Sequence, residues 1–131
     1  MRRVLLVMLL LLSTSAVGVA DDVVGTRFKA FCAEWMQKLA TRERDNRAAI
    51  RWQTGPDGVH GDYVGYSQDH ECELKNGKDS KAVPIGKITY RELVYRQKGA
   101  SVAEAKENTP RAIEATEVTE IFRYSKGKWV Y

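Results

Sequence analysis

Hydrophobic positions along the chain change their spacing twice, and the two changes divide it into three stretches. An unbroken apolar run from Val4 to Leu12 follows Arg2 and Arg3 and gives way to small residues ending at Gly18-Val19-Ala20. Next, Val24, Phe28, Phe31, Cys32, Trp35, Met36 and Leu39 recur every three or four positions, which predicts an amphipathic helix from Asp22 to about Thr41. The mixed-charge run "TRERDN" (41–46) is expected to be its fraying, solvated end. From Ala48 onward the pattern shortens to β-branched and aromatic segments separated by turn residues. "AIRWQ" (49–53), "VHGDYVGYS" (59–67) and "HECEL" (70–74) are expected strands, with a turn at Gly55-Pro56-Asp57-Gly58 and a polar loop "KNGKDSK" (75–81). Two longer strands are expected at "PIGKITYRELVYRQ" (84–97) and "AIEATEVTEIFRY" (112–124). Between them Ser101 and Glu104 form a capping box that starts a short helix over 102–107, and Pro110 follows it. "YSKGKWVY" reads as a tight turn at Gly127 and a last short strand. The expected class is α+β: one long N-terminal helix packed on a curved antiparallel sheet of five or six strands, with a short helix before the C-terminal hairpin.

The first stretch has the layout of a secretory signal peptide, residues 1–20, with cleavage after Ala20. Its fully apolar run is too short to remain as a membrane span, which needs about 20 residues. The remaining 21–131 are enough for a single exported domain with one core. Charge is altered by this reading. The chain has 21 Lys and Arg against 17 Asp and Glu, a net +4, and losing Arg2 and Arg3 with the leader leaves +2. So mild a balance, with no clustered basic run, argues against nucleic acid as a partner. A periplasmic or secreted location is expected.

Export also decides how the two cysteines are read. Cys32 lies on the apolar face of the predicted helix and Cys72 on a strand, and in an oxidising compartment they are expected to form one disulfide. The motif "DHECE" (69–73) places His70 beside Cys72. With His60 these residues include zinc-type ligands but lack the compact ligand pairs of zinc sites, so no metal and no cofactor is assigned. His60 and Asp62, two apart on one strand, share a face, where the carboxylate could orient the imidazole as in a general-base dyad. No nucleophile elbow, phosphate loop or HExxH motif accompanies them. The strand aromatics are expected mainly in core or cross-strand pairs. A sharper reading lets some of them line a concave sheet, with Arg91, Arg96 or Arg123 fixing a carboxylate.

The order of elements, a helix followed by a meander that ends in the hairpin "VTEIFRYSKGKWVY", resembles the cystatin-like and nuclear-transport-factor-two-like α+β folds. The resemblance implies a helix wrapped by a curved sheet; it implies no activity, because that architecture carries enzymes, ligand binders and interaction modules alike. The Gln-x-Val-x-Gly loop of cystatin inhibitors is not in the sequence. The function expected is a small exported, non-enzymatic binding or interaction module stabilised by Cys32–Cys72. The alternative is a small pocket enzyme or ligand binder using His60 and Asp62, and a third reading is a homodimer through the open sheet.

Overall fold

Residues 17–75 and 83–130 are described by a computed structural model, with side chains from Val23 onward. Residues 1–16, on which most of the expected signal peptide falls, residues 76–82, which include most of the expected polar loop, and Tyr131 lie outside the described residues. Helix α1 (Val17–Ala48) is followed by β1 (Gln53–Gly55), β2 (Gly58–Lys75), β3 (Ile85–Gly99), α2 (Val102–Glu107), β4 (Arg111–Ser125) and β5 (Lys128–Val130). The five strands form one antiparallel sheet in the order β1-β2-β3-β4-β5, a plain meander. The α+β class and the long helix on the sheet are as the periodicity predicts.

Four boundaries differ from expectation: α1 begins at Val17 rather than Asp22 and so runs through the cleavage point expected after Ala20, and the other three differ for a tertiary reason. α1 does not fray at Thr41 but continues to Ala48. No Pro or Gly interrupts "TRERDN", and the sheet holds its end: Asn46 Nδ2 donates to the Val64 carbonyl at 2.9 Å, and the Arg47 guanidinium stands 5.8 Å from the centre of the Tyr63 ring. Packing of this kind, more than propensity, sets helix length. "AIRWQ" forms no strand before Gln53, because the chain leaves the helix by laying Ile50 and Trp52 over Gly61. The strands expected at 59–67 and 70–74 are one strand, β2, with a register shift between Tyr66 and His70. Ser67 stitches that irregularity: its hydroxyl donates to the Asp69 carbonyl at 2.8 Å and accepts from the Arg91 N–H at 2.9 Å.

α1 runs antiparallel to β2 along one face of the sheet. Gly25 faces Leu74, Cys32 is bonded to Cys72, and Asn46 reaches Val64. Gly61 and Gly65 allow the close approach: a Cβ on Gly61 would collide with Ile50, and one on Gly65 with Glu43 and Tyr95. Phe28, Cys32 and Leu39 from the helix meet Ile88, Tyr90, Phe122 and Trp129 from the sheet in a single buried cluster. The rings interlock, with Phe31 and Trp35 edge-on to Phe122 at 4.7 and 5.0 Å and Phe28 tilted on Trp129 at 4.6 Å. Val24, Phe31, Trp35 and Met36 pack against the same cluster, so every apolar position of the predicted helical face is used.

The Cys32–Cys72 disulfide is present, with Cα atoms 6.5 Å apart and 40 positions between them in sequence. Its halves are unlike: Cys32 is 2 % exposed, whereas Cys72 lies at the exposed margin of β2. Beyond the reach of α1, β4 is exposed on both faces from Arg111 to Glu117, and it pairs with β5 only from Arg123.

Candidate functional site

Strand alternation makes the two faces of the β2–β3 pair chemically different. Gly61 and Tyr63 turn toward the helix side, so His60 and Asp62 turn away from it. Register then fixes their neighbours: His60 stands opposite Lys98, and Asp62 opposite Arg96. On the next strand Arg96 stands opposite Arg111, and on the other side His60 faces Gln53. The outer face therefore carries two rows, Gln53–His60–Lys98 and Asp62–Arg96–Arg111.

Asp62 and Arg96 form a two-pronged ion pair, Nε to Oδ1 at 2.7 Å and Nη2 to Oδ2 at 2.8 Å. Hydrogen bonding from Arg96 holds the Asp62 carboxyl below its ordinary value despite some burial, and the charges of Arg96, His60 and Lys98 add to the effect. Both carboxylate oxygens are thus engaged by the guanidinium. Around this pair the surface is concave. A depression of about 410 Å³ is lined by Arg51, Gln53, His60, Asp62 and Arg96, and one of about 560 Å³ by Arg96, Lys98, Asn108, Arg111 and Ile113. Arg96 belongs to both.

The other residues singled out in the sequence lie elsewhere. His70 is exposed beyond the β2 irregularity, its Nδ1 2.8 Å from the Gln68 carbonyl, and it does not meet His60. Among the described residues no three His, Cys, Asp or Glu side chains gather as metal ligands. Arg91 stands opposite Glu117, and Arg123 is exposed near the C-terminal hairpin. Of the three arginines considered for holding a carboxylate, Arg96 does hold one, but it is the protein's own. Tyr63 stacks on Tyr95 at 5.3 Å and Tyr66 meets Tyr90 at 6.0 Å, so these rings serve each other.

Lys98, Arg111 and Arg51 belong to this surface, and no sequence motif points to them. Only strand register brings them together, although the even spacing of Arg96 and Lys98 already places those two on one face. Among the described residues no helix is long and apolar enough to cross a membrane. No protein-family model, curated protein or solved structure matches the chain.

Proposed function

We propose that the chain is a small exported binding module, periplasmic or secreted and not an enzyme, whose helix is fastened to its sheet by Cys32–Cys72 and whose outer sheet face meets its ligand. The disulfide is the observation that carries this reading, because such bonds persist in oxidising compartments and the sequence opens with a leader of matching kind. The resemblance in element order to the cystatin-like and nuclear-transport-factor-two-like folds enters as scaffold alone.

The outer depressions favour ligand binding over catalysis at the same residues. His60 and Asp62 do border one concave space, but the Asp62 oxygens are both taken by Arg96, which leaves the imidazole without the acid that a base dyad needs. A homodimer through the open sheet is the competing reading; Glu114 and Glu117, both exposed on the part of β4 that α1 does not cover, weigh against an apolar contact there.

Expression of the full chain in a bacterium, followed by intact mass measurement of the exported fraction, tests the proposal. A product lacking residues 1–20 and two protons lighter than the dithiol is expected. A product that keeps its leader in the cytoplasm, with thiols that alkylate freely, would overturn it.

A further inference from the structure

The outer-face charge row is unfinished. Asp62, Arg96 and Arg111 follow one another across three strands as minus, plus, plus. Like charges directly opposite in a sheet repel, and Asp62 neutralises only the nearer guanidinium, with both of its oxygens on Arg96. Among the described residues no carboxylate forms an ion pair with Arg111 or Lys98. Both cations line the 560 Å³ depression, which also holds the Asn108 side, Ala112 and the exposed Ile113. The Asn108 amide is turned to the backbone, donating to the Lys98 carbonyl at 2.7 Å, and so braces the strand end that carries Lys98.

We infer that this depression is a site for a small ligand bearing an oxyanion, a phosphate or a carboxylate, on an apolar or aromatic body, with Arg111 and Lys98 taking the anion and Ile113 the body. The inference rests on the binding-module reading and specifies its ligand. Three points support it. A fourth charge placed beside Arg111 would complete the row as minus, plus, plus, minus, which removes the repulsion the bare strands carry. Arg96 is engaged by both oxygens of Asp62, so Arg111 and Lys98 are the cations left to take the anion. The depression, about 560 Å³ and open to solvent, is lined mainly by polar groups from two strands and the α2–β4 connection, with Ala112 and Ile113 as its apolar part, which suits a charged head on a small body.

The test uses the mature, oxidised protein, isotope-labelled, titrated with phenyl phosphate, with inorganic phosphate, and with vesicles of phosphatidylglycerol. Phenyl phosphate should give saturable amide shifts at Lys98 and over 108–113. Inorganic phosphate should shift the same amides at higher concentration. Arg111→Gln should weaken phenyl phosphate about tenfold or more, the loss of one charge-assisted pair. Arg123→Gln, which removes a distant exposed charge, should leave binding unchanged. Absence of saturable shifts, or equal binding by Arg111→Gln, overturns the site. Vesicle binding with no response to either soluble probe overturns it in favour of a membrane surface. Failure is separable from failure of the export reading, because a protein that is exported and cross-linked yet ignores the probes loses only the oxyanion site.

Discussion

At the scale of single residues, the two ends of the disulfide should not be equivalent. Closing a loop across 40 positions is worth about 2 to 4 kcal/mol in measured disulfides. Cys72→Ser removes that restraint and places a hydroxyl at the exposed margin of β2, where water solvates it. Cys32→Ser removes the same restraint and adds a hydroxyl at a position 2 % exposed among Phe28, Leu39 and Ile88, costing about 1 to 3 kcal/mol more if it finds no acceptor. Urea unfolding of both variants is therefore expected to rank Cys32→Ser as the less stable, and equal losses would contradict the asymmetric burial. Gly61→Ala should also be costly, about 1 to 3 kcal/mol, because the added methyl meets Ile50 and the Trp52 ring. The sequence told only part of this. Cys32 lies among apolar residues at helical spacing, so its burial was legible; Cys72 sits in "HECEL", where alternation assigns a face but not whether a helix covers it.

At the scale of elements, legibility follows how local the determining contacts are. The α1 face from Val24 to Leu39 and the capping box of α2 are written in neighbouring residues, and both elements are where the pattern puts them; Ser101 Oγ accepts from the Glu104 N–H at 3.2 Å. The end of α1, the loss of a strand at "AIRWQ" and the fusion of two strands into β2 depend on Asn46, Ile50 and Ser67 finding partners 11 to 24 positions away, and no local rule announces those. The outer-face site belongs to the same class, since Asp62 and Arg96 are 34 positions apart. One such contact makes a prediction about α2. Gln97, 1 % exposed, directs its Nε2 at the carbonyls of Ala105, Lys106 and Asn108, at 3.2, 3.3 and 3.0 Å. The first two are carbonyls that the helix end leaves unsatisfied, and the third belongs to its C-cap. A six-residue helix is too short to persist alone, so its attachment lies in Gln97, in Ala105 packed on Gly99 and in the Asn108 amide on the Lys98 carbonyl. Gln97→Ala is expected to speed amide exchange throughout 102–108 by about tenfold or more while α1 and β2 stay protected, a local opening of the kind small peripheral elements undergo. Uniform acceleration over the whole chain would show instead that α2 is part of the global unfolding unit.

At the scale of the whole molecule, the charged and phenolic groups set the pH range over which the fold persists. On the acid side, Asp62 is held low by Arg96, and Glu73 by its hydrogen bond from Lys87, 3.0 Å away, with Lys75 adding charge. A depressed carboxyl contributes stability that is present above its unfolded value and is lost as pH falls through the folded one. Both pairs are well exposed, so their loss should be modest and should shrink further in high salt. The alkaline side is governed by burial. Tyr90 is pushed up to about 12, chiefly because its phenol lies in the core and secondarily because Glu120, 3.3 Å from the hydroxyl, disfavours a second negative charge. A raised folded value reverses the sign: the stability is complete below the unfolded value of 10.0, and it drains away as pH rises toward about 12 because only the unfolded chain releases the proton easily. Tyr63 is raised by burial as well and adds to the same slope. Tyr90→Phe, which keeps the ring against Tyr66 and the core, is therefore expected to flatten the fall in unfolding free energy over that alkaline window while leaving the acid side unchanged. Urea titrations at successive pH values would show it, and a variant whose stability fell as steeply as the parent's above 10 would mean that the core phenol does not set the alkaline limit.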